Sequence, residues 1–188
     1  GNGYDYSWIE EAQNRGLLNL RTTPYALPYF SREENVRLFE ELGIFSEEEI
    51  RSRYEIIIEE YIKTLHIEAK TMVDMTRKEI LPAVSSQLHE WSNTYCLKKQ
   101  VGSHIDCSYE ENVSGLASYL QAAAASDVTK LEEAIKQAEK LDLEKAAAYY
   151  RDVVLVCMEE LRVSCDALEI ITSAEYWPFP TYGKLLFG

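Results

Sequence analysis

Apolar residues recur at spacings of three and four along most of the chain, which predicts helices that each bury one face. The longest such stripe runs Ile50, Tyr54, Ile57, Tyr61, Leu65, Ala69, Met72 and Met75. Ser46 opens it, followed three residues on by Glu49, the spacing of a capping box in which each side chain satisfies the other's backbone N–H. Pro82 falls inside the same pattern and removes one helical hydrogen bond, so a kink is predicted near 78–81, with the helix resuming to about Lys99. Gly102 turns the chain within the loop 100–107. A helix from about Ser108 to Ala125 follows. Asp127 then reads as the cap of a helix carrying Leu131, Ala134, Ile135, Ala138 and Leu141. Asp142 reads as the cap of another, whose stripe is Ala147, Tyr150, Val154, Met158, Leu161, Cys165 and Leu168, ending near Thr172.

The two ends depart from this pattern. A short helix over about 6–15 is stopped by Gly16. Residues 17–30 contain Pro24 and Pro28, whose spacing argues against a helix interior and for a strap packed across a surface. Ser31 reads as the N-cap of a helix ending at Leu42-Gly43, with Glu33 and Glu34 in its first turn, where the helix dipole favours negative charge. At the other end, four aromatics fall between Tyr176 and Tyr182, and such a cluster must pack against a surface. Strand alternation is absent from the sequence. The expectation is an all-α antiparallel helical bundle in one domain: 1–45 an N-terminal strap with two short helices, 46–172 the bundle, and 173–188 an aromatic C-terminal strap.

Composition narrows the function classes. Apolar residues make up 46% and charged residues 27%, which supports a buried core in a soluble chain. A net charge of −13 opposes nucleic acid and anionic lipid as partners, since both are polyanions. Cys96, Cys107, Cys157 and Cys165 form no CxxC pair and no zinc-ligand spacing with histidine; free thiols are expected, with Cys96 and Cys107 flanking one loop. With no secretory leader and no membrane-length apolar run, a cytoplasmic location is expected. The abrupt opening at Asn2-Gly3-Tyr4, without an initiator Met, suggests a segment of a longer polypeptide.

Catalytic signatures are scarce. The residues three before His66, His89 and His104 are Lys63, Ser86 and Val101, so the Glu-x-x-His motif of di-metal bundles is missing. Phosphate-binding glycine loops and the GxSxG elbow are missing too. No catalytic, cofactor-binding or metal-binding residue is therefore expected in this sequence. Glu68 lies seven residues from both Tyr61 and Met75, which makes it a candidate buried carboxylate; the plainer reading is a carboxylate satisfied across the bundle. Arg15 and Arg21 border the first irregular stretch, where they would meet either an anionic ligand or surface carboxylates. Trp177, Phe179, Tyr182 and Phe187 are candidate docking residues, either for their own domain or for a neighbouring subunit.

Several stretches carry a resemblance: Gly1-Asn2-Gly3-Tyr4, Gly16 to Pro24 (GLLNLRTTP), Ala26-Leu27-Pro28, Ile67 to Met72 (IEAKTM), Ile80-Leu81-Pro82-Ala83, and Trp177 to Tyr182 (WPFPTY) with Leu185-Leu186-Phe187. Together they resemble the C-terminal region of type III glutamine synthetases. The resemblance spans both ends and the long helix, and is weakest over about 97–141. It implies a parent enzyme that joins glutamate and ammonia using ATP and Mg or Mn, with its catalytic groups in a preceding β-rich domain. None of those catalytic motifs occurs in this sequence, and no cofactor is expected within this segment. The resemblance also implies packing on the parent's own catalytic domain and on neighbouring subunits of a homo-oligomer. Two other readings compete with a non-catalytic accessory domain. One is a stand-alone helical protein-interaction module; the other is an enzyme built on the bundle alone, around Glu68.

Overall fold

Three helices at the start of the chain end or begin where local chemistry requires it. The computed structural model describes residues 4–180 and 182–187, the side chains of Tyr182 and Gly183 excepted. Helix α1 (Ser7–Asn14) and helix α3 (Glu33–Glu41) both close on a glycine in the left-handed region, Gly16 at φ +74° and Gly43 at φ +63°. The residue after each glycine donates its N–H back into the last turn, Leu17 to the Ala12 carbonyl and Ile44 to the Phe39 carbonyl, both at 2.9 Å. This Schellman closure needs a residue that tolerates positive φ.

Between them lies helix α2 (Thr23–Phe30), where a non-helical strap was expected. Pro24 sits in the first turn, where an N–H is not needed, and only Pro28 falls inside. A helix of two turns loses little by one missing bond. Ser31 does not cap α3. It ends α2 and donates to the Pro28 carbonyl, leaving Arg32 as the residue before α3.

Helix α4 (Glu47–Met75) begins at the expected capping box: Ser46 N–H donates to Glu49 Oε2 at 2.8 Å and Glu49 N–H to Ser46 Oγ at 3.3 Å. The chain divides into two compact units, Gly1–Ile62 and Lys63–Gly188, with the division inside α4. The first unit is thinly cored. Its fully or nearly buried apolar side chains are Leu27, Ile50 and Ile58. Phe39 stands 5.7 Å from Phe30 and 5.8 Å from Phe45, ring centre to ring centre, and the Arg53 guanidinium lies 4.4 Å over Phe45.

In the second unit, α4 passes through a π-helical turn at Thr76–Ile80 and continues as helix α5 (Leu81–Val101). The turn stands directly before Pro82, where the kink was expected. Widening the helix by one residue relieves the clash between the proline ring and the carbonyl four residues back. Helix α6 (Ser108–Ala138) is unbroken, where two helices meeting at Asp127 were expected. Nothing between Ala122 and Ser126 breaks a helix, and the Asp127 carboxylate is engaged elsewhere. It accepts from Ser164 Oγ and from Lys130 Nζ, both at 2.8 Å.

Asp142 does cap helix α7 (Leu143–Tyr149), accepting from the Lys145 N–H at 3.1 Å. A second π-helical turn, Tyr150–Val154, joins α7 to helix α8 (Leu155–Ile171). No proline or glycine announces it. Tyr150 is buried there with its hydroxyl 2.7 Å from His66 Nδ1. A short helix α9 (Tyr182–Phe187) follows the aromatic segment.

Helix α6 is the centre of this unit, packed on α5 and on α8. Val84, Val128, Leu131, Val154, Leu161 and Leu168 are completely buried. The fold is all-α, with no strand among the described residues.

Two half-buried carboxylate contacts tie the helices together and contribute to the acid response. Arg77 grips Glu132 through two nitrogens, at 3.1 and 3.0 Å, and holds its carboxyl below the ordinary value. Partial burial alone would push the Asp127 carboxyl up, but Lys130 and Ser164 outweigh it and the net direction is down. Carboxyls depressed in the folded state stabilise it above their unfolded value of about 4, and that stability is lost as pH falls through the folded value. Combining Asp127→Asn with Glu132→Gln is therefore expected to flatten the decline in stability between about pH 5 and pH 2. Urea midpoints across that range provide the check; an undiminished acid slope in the double variant would refute this account.

Candidate functional site

A concavity of the second unit lies where the first π turn, α8 and the C-terminal aromatic segment meet. Its volume is about 320 Å³. The π turn and the residues just before it supply Met72, Met75, Thr76 and Ile80. Helix α8 supplies Arg162, Cys165, Asp166 and Glu169, at positions i, i+3, i+4 and i+7, which places them on one side of the helix. Trp177, Phe179 and Pro180 form the remaining wall together with Leu185.

Hydrogen bonds hold that wall in place. Thr172 ends α8 by donating its hydroxyl to the Leu168 carbonyl at 2.7 Å. The next residue, Ser173, donates its N–H at 2.9 Å to Oε1 of Gln87, a buried side chain on α5. Tyr176 and Trp177 N–H groups then both bond the Ser173 carbonyl, turning the chain back. Trp177 and Phe179 meet edge to face at 6.1 Å.

The cleft's polar groups differ in how well they are satisfied. Thr76 Oγ1 and Cys165 Sγ lie 3.7 Å apart, and burial pushes the thiol's pKa up, which makes it a poor nucleophile. Arg162 Nε reaches Asp166 at 3.5 Å. Glu169 is half-buried and makes no hydrogen bond or ion pair among the described residues. No general base stands beside a nucleophile here. The arrangement is suited to binding.

Glu68 is not buried; it stands exposed on α4. The buried line of α4 runs Ile50, Ile58, Leu65 and Ala69, and Ile57 is 40% exposed beside its buried neighbour Ile58. The Tyr61–Glu68–Met75 line runs beside this buried line, three residues on from Ile58 and Leu65 and so about 60° round the helix, and Tyr61 and Met75 are themselves only half-buried. Arg15 pairs with Glu11 at 2.7 Å and lies 5.7 Å over Trp8. Arg21 is exposed and borders a separate depression with Leu17 and Leu18 in the first unit.

Of the four aromatic docking candidates, Trp177 and Phe179 are half-buried in the cleft, whereas Phe187 is 88% exposed. The Tyr182 side chain lies outside the described residues. All four cysteines are free thiols, Cys107 and Cys165 buried and Cys96 exposed. Among the described residues no group of three or more His, Cys, Asp and Glu side chains is placed to hold a metal, and no helix is long and apolar enough to cross a membrane.

The sequence reading missed Thr76, Gln87, Arg162, Asp166 and Glu169. The only signal for the last three was their polar spacing beside the stripe Leu161, Cys165 and Leu168.

Residues 1–99 match the family model described as the glutamine synthetase C-terminal domain. The chain belongs to that family. Glutamine synthetase relatives align with its whole length: that of Butyrivibrio fibrisolvens at 38% identity, the type-3 glutamine synthetase of Dictyostelium discoideum at 33%, and that of Bacteroides fragilis at 28%. The chain spans about a quarter of these relatives, 27%, 26% and 26% of their respective lengths. In this glutamine synthetase C-terminal domain, the family-model match ends within α5. The α8 and aromatic walls of the cleft therefore rest on the full-length alignments alone.

Proposed function

We propose that this domain is a non-catalytic helical part of an ATP-dependent glutamate–ammonia ligase, and that it supports the packing or assembly of that enzyme. The observation that carries the reading is the alignment of the entire chain with about a quarter of each glutamine synthetase relative. The surface of the first unit supports it: Tyr6, Leu17, Leu18, Tyr25, Leu38 and Leu42 are each at least 50% exposed. Apolar surface of this kind on a thinly cored unit suits contact with another part of the polypeptide or with a neighbouring subunit. ATP and Mg or Mn belong, in this reading, to the remainder of the enzyme, which works in the cytoplasm as a homo-oligomer.

An antibody raised against the last twelve residues tests the proposal on native extract. The expected band is several times heavier than 21.6 kDa, and the protein it marks forms glutamine from glutamate and ammonia with ATP. A band near 21.6 kDa would sink the reading, as would a heavy protein without that activity.

A further inference from the structure

We propose that the cleft between the first π turn, α8 and the aromatic segment is a binding site for a primary amine carried on a flat apolar body. Three observations converge on this class of ligand. The cavity, about 320 Å³, is within the size range of small-molecule sites and has a largely apolar lining. Its aromatic wall, Trp177 edge-to-face with Phe179, offers ring faces that attract both a flat apolar group and a nearby cation. Its charged side carries one guanidinium, Arg162, against two carboxylates, Asp166 and Glu169. Arg162 is already engaged by Asp166, which leaves Glu169 as the carboxylate without a partner among the described residues.

The site is also built to keep its shape. A π-helical turn forms one wall, and such turns recur at functional sites because they displace side chains from regular helical register. The opposite wall is pinned through Ser173 to the buried Gln87. An anion is a poor match, since it would meet two carboxylates, Glu169 unpaired among the described residues, against a single guanidinium whose Nε already reaches Asp166 at 3.5 Å. A neutral apolar molecule would fill the cleft and leave Glu169 unused.

Isothermal titration of the 188-residue chain with tryptamine, 3-methylindole and indole-3-acetate separates these cases. Tryptamine is expected to saturate one site with a Kd between about 10 μM and 1 mM, as suits a ligand of a dozen heavy atoms. Its neutral analogue is expected to bind about tenfold more weakly, and the carboxylate analogue not measurably. Glu169→Gln should remove about tenfold of the tryptamine affinity while leaving 3-methylindole binding unchanged. Phe179→Ala should weaken both. Because Glu169 is half-exposed, its substitution is expected to leave the thermal melt intact. Absence of saturable tryptamine binding overturns the proposal. So does equal binding of the three ligands, or a Glu169→Gln variant that binds tryptamine like the parent chain.

Discussion

Leu161→Ala is expected to destabilise the chain by about 2–5 kcal/mol. Leu161 is completely buried on α8, the helix that packs along the central α6. Truncating it removes apolar surface from contact and leaves a cavity that close-packed neighbours fill only in part. The informative control is Val163→Ala, two residues further along the same helix and 70% exposed, for which a change within about 0.5 kcal/mol is expected. Urea unfolding followed by far-UV circular dichroism measures both. The pair tests more than packing, because the rotation of α8 is set by the π turn at Tyr150–Val154. That turn holds one residue more than an α-turn, which advances every later side chain around the axis. If Val163→Ala cost as much as Leu161→Ala, α8 would be rotated away from the face described. Glu68→Ala belongs in the same series, with an effect within about 0.5 kcal/mol, because Glu68 stands exposed.

Much of the helical pattern was legible because one-sided burial leaves a periodic trace. The stripe through α7, the second π turn and α8 is the best example: Ala147, Tyr150, Val154, Leu161, Cys165 and Leu168 are buried, as their spacing predicts, and Met158 is half-buried. The capping box at Ser46 and the stop at Gly43 were legible because each is a local motif with its own hydrogen bonds. What failed were inferences that gave one residue a role that tertiary structure overrules. Asp127 looks like a cap in sequence, but Ser164 and Lys130 claim its carboxylate in mid-helix. Pro28 looks like a breaker, but a helix as short as α2 tolerates it. Glu68 looks buried because it shares a line with Tyr61 and Met75, but that line flanks the buried face of α4 and does not form it.

The cleft was less legible than the fold, for a related reason. Its walls come from residues 72–80 on one side and from residues 162–185, some eighty positions further along the chain, on the other, and one wall depends on a bond between a buried glutamine and a backbone N–H. Periodicity reports which face of a helix is apolar. It does not report which polar residue on the margin of that face will meet a segment arriving from elsewhere. Trp177 and Phe179 were visible as aromatics in need of a surface; the surface itself was not.

That buried glutamine is where a single substitution should do the most to the site. Gln87→Leu places an apolar side chain of similar size at a buried position and removes the acceptor of the Ser173 N–H. An amide left without its partner costs about 1–3 kcal/mol, and here the cost falls on the segment that leads into the aromatic wall. The expected result is a loss of global stability in that range, together with a local effect: faster hydrogen exchange at Ser173 and a more solvent-exposed emission from Trp177. His89→Leu, at an exposed position two residues away on α5, is expected to do neither. If Gln87→Leu left Ser173 exchange unchanged, the wall would be held by aromatic packing alone. If exchange rises as expected, amine binding should weaken in the same variant, although Gln87 does not line the cleft, because the cleft depends on a wall that this one bond anchors.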